Sequence, residues 1–265
     1  MTLTFAPTDL DKLANLVVDA QLGAYEIDKV TGIFPLTVEE AYLVQRKVVE
    51  RLWQRGGRVV GLKTGLTSRS KQAAMGVHEP LYGYILDNTI GREGQPLSLS
   101  GLIHPRAEPE LAFVLGQPLQ GPAVSGAQAL AATQEIRLAL EVIDSRYRNY
   151  NFTLADVIAD NCSSGKLLLS EKGFAPGAYD LRLMGLTLEK NGDLIQTGAG
   201  AAVLGHPANA VAWLANKLYE IEGRGLEAGT IVLAGAFTPA VEVKPGDRVV
   251  ASFAGAGSLA LDCAE

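Results

Sequence analysis

The sequence predicts an α+β fold: a small helical region over residues 1–57, then a larger domain over residues 58–265 built on a coiled or sandwiched mixed sheet. Three observations lead there. Helical periodicity with recognisable caps dominates the chain before Gly57. After Gly57, glycines become frequent and short β-type runs take over. Strand and helix patterns then fail to alternate regularly, which disfavours a doubly wound sheet or a (β/α)₈ barrel.

Taken in order, Thr8 is placed to cap a helix that carries Leu10, Leu13, Ala14 and Val17 on one face. Thr37-Val38-Glu39-Glu40 has capping-box spacing, since the threonine hydroxyl and the glutamate three residues on can satisfy each other's free backbone donors. Ala41, Val44, Val48 and Leu52 follow at helical spacing, and Gly56-Gly57 supplies the stop. Lys29 to Pro35 reads as the connecting loop. Arg58 to Lys63 reads as a short strand, Glu110 to Leu115 as a second, and Ala127 to Glu135 as a short helix leading into a strand over Ile136 to Ile143. His206-Pro207 opens an amphipathic helix with Val211, Leu214, Ala215 and Leu218 on one side. Strands over Thr230–Leu233, Arg248–Phe253 and Ser258–Leu261 close the chain, with a turn at Lys244-Pro245-Gly246-Asp247.

The 265 residues are 48% hydrophobic and 20% charged, an ordinary globular composition. A formal charge of −6 offers no basic footprint for nucleic acid. There is no membrane-length apolar run and no leader pattern at the N-terminus, so a cytoplasmic protein without a membrane partner is expected. Cys162 and Cys263 match no metal or redox spacing and are expected to be buried small hydrophobes. His78, His104 and His206 show no ligand spacing, and no dinucleotide or phosphate loop is present.

Chemistry concentrates in a few places. In an extended segment Glu108 and Glu110 project from one face, about 7 Å apart, and repel each other unless a cation sits between them. Pro109 between them cannot donate a ladder hydrogen bond, which suggests a sheet edge or strand start. Glu141 interrupts the apolar run from Leu138 to Ile143, and a buried carboxylate needs a partner. An all-oxygen donor set suits Mg²⁺ or Mn²⁺ better than zinc. Spacing alone nevertheless favours a solvated strand face for the first two, with Glu141 paired to Arg137 or Arg146. Lys63 precedes the polar turn Thr64-Gly65-Leu66-Thr67-Ser68; it can meet a substrate carboxylate or move a proton, although a snorkelling surface lysine fits the spacing better. Asp160 to Gly165 is a run of short polar residues that reads as a turn.

The chain resembles the 2-keto-4-pentenoate hydratase / 4-oxalocrotonate decarboxylase family, within the fumarylacetoacetate-hydrolase-like superfamily. The matching stretches include Val60 to Ser68, Met75-Gly76-Val77, Pro105 to Glu110, Leu140 to Arg146, Ala159-Asp160-Asn161, Thr197 to Pro207 and the tail from Leu226 to Asp247. The resemblance spans nearly the whole chain. It implies a mixed β-sheet roll, a divalent metal (Mg²⁺ or Mn²⁺) on Glu108, Glu110 and Glu141, and catalytic roles for Lys63 and Ser163. Thr67, Ser68, Leu81, Tyr82 and Arg146 become expected substrate contacts, with Arg146 a candidate for support from behind the site. It also implies a small 2-oxo dicarboxylic acid as substrate, a homo-oligomer, and a possible complex with a paralogous hydratase.

Two activities divide that family. Decarboxylation of 2-oxo-3-hexenedioate needs a cation that draws charge onto the C2 carbonyl. Hydration of 2-hydroxypenta-2,4-dienoate, or of a related heptenedioate, needs an additional acid/base near the distal carbons. Hydratases of the family typically carry Pro-Asp-Phe-Gly where this chain has Pro80-Leu81-Tyr82-Gly83, and leucine cannot transfer a proton. The run from Asp144 to Phe152 also resembles the decarboxylase branch. Pro105 to Glu108 and Ala210 to Asn216 resemble hydratases instead, and Glu79 is a possible substitute acid. The balance favours a decarboxylase, with the hydratase as alternative. A non-catalytic partner subunit is disfavoured by the intact carboxylate set.

Overall fold

A computed structural model describes residues 4–265, apart from the side chains of Ala74 and Met75. Helix α1 (Pro7–Gly23) starts ahead of the expected Thr8 cap: Ala6 is the N-cap without a side-chain bond, and Pro7 fills the first turn, where its missing N–H costs nothing. Helix α2 (Val38–Gln54) begins at the expected capping box, with Thr37 Oγ1 accepting from Glu40 N at 3.2 Å and Glu40 Oε2 from Thr37 N at 3.1 Å. The loop from Lys29 to Pro35 contains one 3₁₀ turn, Val30–Gly32.

Beyond α2 the chain runs β1 (Val59–Gly65), α3 (Arg69–Met75), β2 (Leu81–Leu86), β3 (Ile90–Arg92), β4 (Leu97–Ser98), β5 (Arg106–Leu115), α4 (Gly126–Ala132), β6 (Thr133–Ile143) and α5 (Leu154–Ala159). It continues with β7 (Ser164–Phe174), β8 (Gly185–Lys190), β9 (Asp193–Ala199), α6 (Pro207–Glu222), β10 (Ile231–Leu233), β11 (Val241–Glu242), β12 (Arg248–Phe253) and β13 (Gly257–Ala264). One sheet has the order β2-β1-β10-β5-β6-β7-β3, with β11 also on β5; the other has the order β4-β13-β12-β8-β9. Both are mixed. β1–β10, β3–β7 and β4–β13 are parallel, and the remaining pairs are antiparallel. A continuous apolar core runs from Leu10 and Val17 on α1, through Val44 on α2 and Leu111 on β5, to Leu261 on β13. None of the described helices is long and apolar enough to cross a membrane.

Pro109 departs from the expected edge position. It lies inside β5, a central strand, opposite Leu140 of β6. Its carbonyl faces the other side, where it accepts from Phe237 N at 3.0 Å. On that side β10 ends at Leu233 and β11 begins at Val241, so no ladder donor is required of Pro109 there. The segment that bridges the gap carries Ala236, Pro239 and Ala240 into the cavity described next.

Candidate metal centre

Strands β5 and β6 pair so that Glu108 stands directly opposite Glu141, with Glu110 two residues along on the same face. One carboxylate oxygen from each of the three lies within 4.8 Å of the others. Glu110 is 1% and Glu141 2% exposed, while Glu108 is only half-buried. Burial pushes the Glu110 carboxyl well above the usual glutamate range, and the neighbouring Glu141 and Glu108 charges push it further. A hydrogen bond from Gly235 N at 2.8 Å opposes that rise. Burial likewise raises Glu141, although Lys63 beside it pulls the other way.

Lys63 is neither at a strand end nor at the surface. It sits inside β1, 3% exposed, with Nζ 2.5 Å from Glu141 Oε1 and 3.0 Å from the Cys162 carbonyl. Burial alone would lower its pKa, but the Glu141 carboxylate, Cys162 and Glu108 together outweigh burial and hold it above the usual lysine value. Glu141 is thus paired with neither expected arginine. Arg137 pairs with Glu135 and Arg146 with Asp160. The second oxygen, Glu141 Oε2, is buried without a hydrogen-bond partner among the described residues. Three converging carboxylates and that orphaned oxygen fit a hard divalent cation, which would neutralise their repulsion and take up the lone pairs. Glu108, Glu110 and Glu141 are the side chains that would hold it.

A cavity of about 340 Å³ opens in front of Glu108 and Glu110. The structure brings Lys63, Ser163, Thr67, Ser68 and Leu81 to its wall. Ser163 Oγ is buried and has no partner among the described residues. Thr67 is held against the segment after β10, where Gly235 has φ +102° and a Cβ would lie 2.2 Å from Thr67 Oγ1.

Two expected contacts stand elsewhere. Alternation along β2 turns Tyr82 away from Leu81, onto Tyr42 (ring centroids 4.4 Å apart), with its hydroxyl donating to Glu222 at 2.8 Å. Arg146 is 1% exposed and fully engaged: Nε on the Asp160 carboxylate, Nη1 on the carbonyls of Asp144 (2.6 Å) and Ser164 (2.9 Å), Nη2 on the Asp160 carbonyl. The substitute acid, Glu79, pairs with Lys217 at 2.9 Å and does not line the cavity.

Sequence reasoning passed over several lining residues. Arg106 shares the face of Glu108, and its guanidinium stacks 4.0 Å from the Tyr150 ring centroid. Two-residue spacing from Glu108 was the available signal. Lys71, 3.5 Å from Glu108, sits in the first turn of α3, a helix that the sequence pattern did not reveal.

Residues 59–262 match the fumarylacetoacetate hydrolase C-terminal family, and the chain belongs to that family. More particularly, it is 43% identical over 260 residues to the 4-oxalocrotonate decarboxylase of Pseudomonas sp. strain CF600, covering 98% of each chain. It is also 44% identical over 186 residues to a 2-hydroxypent-2,4-dienoate hydratase of Pseudomonas putida, covering 70% of this chain and 84% of that one. Its fold matches the structure of 4-oxalocrotonate decarboxylase from Pseudomonas putida G7 complexed with magnesium and adipate, with a TM-score of 0.95 and 40% identity, covering 99% of this chain and 100% of the other.

Proposed function

We propose that this chain is a Mg²⁺-dependent 4-oxalocrotonate decarboxylase, converting 2-oxo-3-hexenedioate to 2-hydroxypenta-2,4-dienoate in the meta-cleavage breakdown of aromatic compounds. Both an identical activity name and a magnesium complex occur among its relatives. Adipate, found in the same relative, shares the six-carbon dicarboxylate skeleton of that substrate.

The observation that carries the choice over hydration is Leu81. It lines the cavity as a buried apolar side chain, and the substitute acid two residues before it, Glu79, is tied to Lys217 and does not line the cavity. Decarboxylation breaks the C5–C6 bond, releases CO₂ and leaves the electron pair conjugated through the C3=C4 alkene with the C2 carbonyl. A divalent cation on the three glutamates supplies the Lewis acidity that favours charge on that carbonyl oxygen. Leu81, Val157 and Phe152 give the departing carboxylate an apolar surround, which disfavours the anion and favours neutral CO₂. Lys63, held cationic by Glu141, orients a substrate carboxylate or supplies the proton that converts the dienolate oxygen at C2 to the product hydroxyl; Ser163 Oγ, free of any described protein partner, donates to substrate oxygen. The same reading includes Mn²⁺ as an alternative metal, a homo-oligomer, and association with a paralogous hydratase that would consume the product.

The test is CO₂ release from 2-oxo-3-hexenedioate that requires Mg²⁺ and stops with EDTA. The hydratase reading is favoured by the 44% identical relative, and turnover of 2-hydroxypenta-2,4-dienoate without CO₂ release would establish it instead.

A further inference from the structure

Between α5 and β7 the backbone does something L-residues rarely do. Asn161, Cys162 and Ser163 all have left-handed φ, at +48°, +54° and +53°, without a glycine among them. Such a turn persists only when its surroundings over-determine it. It delivers two groups to the cavity side: the Cys162 carbonyl, 3.0 Å from Lys63 Nζ, and the unpartnered Ser163 Oγ.

Two side chains that line no part of that cavity hold the turn. Arg146 grips the residues on either side of it, donating to the Asp160 carbonyl and carboxylate before it and to the Ser164 carbonyl after it. Asn161 clips the turn onto β2 in the manner of a strand pair: Oδ1 accepts from Tyr84 N at 2.7 Å and Nδ2 donates to Tyr84 O at 2.9 Å. Gly83 permits the close approach, since a Cβ there would lie 2.7 Å from the Asn161 carbonyl. Neither Arg146 nor Asn161 touches the three glutamates in any described hydrogen bond or ion pair.

We propose that Arg146 and Asn161 are positioning residues, which act on turnover by holding the left-handed Asn161–Ser163 turn that aims Ser163 Oγ. The inference rests on the role given to Ser163 above.

A double-mutant cycle separates positioning from general damage. Asn161→Gly removes the clip but leaves a residue that accepts left-handed φ, so folding is protected. Arg146→Lys keeps a cation against Asp160 while losing the fork that spans the turn. Each should lower kcat for CO₂ release on the order of 10–100-fold, the scale of a small misplacement of a reacting group. Mn²⁺ affinity and stoichiometry should be unchanged, because the carboxylates sit on β5 and β6. In a Ser163→Ala background the Asn161→Gly loss should largely vanish, so the double variant matches the slower single variant. Multiplicative losses in the cycle, full turnover by both single variants, or a parallel loss of Mn²⁺ binding would overturn the inference. An unsubstituted chain that releases no CO₂ from 2-oxo-3-hexenedioate would instead overturn the proposed function on which it rests.

Discussion

Replacing Glu110 with glutamine should stabilise the metal-free protein and at the same time abolish its response to Mg²⁺. The substitution is nearly isosteric, and the glutamine oxygen can still accept the hydrogen bond from Gly235 N. What it removes is charge. Carboxylate oxygens within 4.8 Å at an effective dielectric of ~20 repel by about 3.5 kcal/mol per fully ionised pair. The raised pKa values of Glu110 and Glu141 mean that partial protonation already relieves part of this. A gain of about 1–3 kcal/mol is therefore expected at neutral pH, at roughly 2–4 °C of melting temperature per kcal/mol for a chain of this size. The unsubstituted protein, by contrast, should gain about 2.7 kcal/mol at a Mg²⁺ concentration ~100 times its Kd, and the variant almost none. Differential scanning calorimetry with Mg²⁺ and with EDTA reads both effects. A variant less stable than its parent in EDTA, or one with an undiminished Mg²⁺ shift, would refute the reasoning.

The stabilisation by Mg²⁺ should also grow between about pH 5 and about pH 8. Glu110 and Glu141 have folded pKa values raised above their unfolded ones, so the stability they contribute is present at low pH and lost as pH rises through the raised values, about 7 for Glu141. The cation binds the ionised forms and restores what ionisation removes; calorimetry across that range tests it, and a flat or falling shift contradicts it. Arg146→Met should cost about 3–5 kcal/mol in chemical denaturation, because it leaves the Asp160 carboxylate buried and unpaired. Gly83→Ala should reduce kcat while sparing Mn²⁺ binding, since its Cβ would lie 2.7 Å from the Asn161 carbonyl and 3.0 Å from Cys162 Cβ, and so must displace that turn. Leu81→Asn should retain Mn²⁺ binding and slow CO₂ release about 10-fold or more, because an amide donor in that wall hydrogen-bonds the departing carboxylate and stabilises it as an anion; steady-state kinetics beside Mn²⁺ titration checks both variants.

Local rules made some of this fold legible. Thr37 and Glu40 formed the box their spacing announced, and His206 caps α6 by accepting from Ala208 N at 3.1 Å. Strands β2 and β7 escaped because they read as near-continuous apolar or mixed runs, buried without clean alternation. Strand β5 was seen only from Glu110 onward, since Pro109 argued against a central strand; its tolerance depends on where β10 stops and β11 starts, a tertiary fact. Among the site residues, two-residue spacing put Glu108 and Glu110 on one face, but only pairing register brought Glu141 opposite Glu108. Lys63 read as a surface lysine because nothing local reveals a carboxylate 78 residues away on a non-adjacent strand. Arg146 and Tyr82 carried the right chemistry in the right neighbourhood, yet side-chain direction, set by the Asp160 pair and by the alternation of β2, turned them to other work.

The most direct measurement compares two substrates on the purified chain, with Mg²⁺ and with EDTA. CO₂ release from 2-oxo-3-hexenedioate should be rapid with Mg²⁺, negligible with EDTA, and accompanied by the absorbance of 2-hydroxypenta-2,4-dienoate, which the chain alone should then leave unhydrated. Hydration of that dienoate without CO₂ release, or decarboxylation indifferent to EDTA, would contradict a metal-dependent decarboxylase built on Glu108, Glu110 and Glu141.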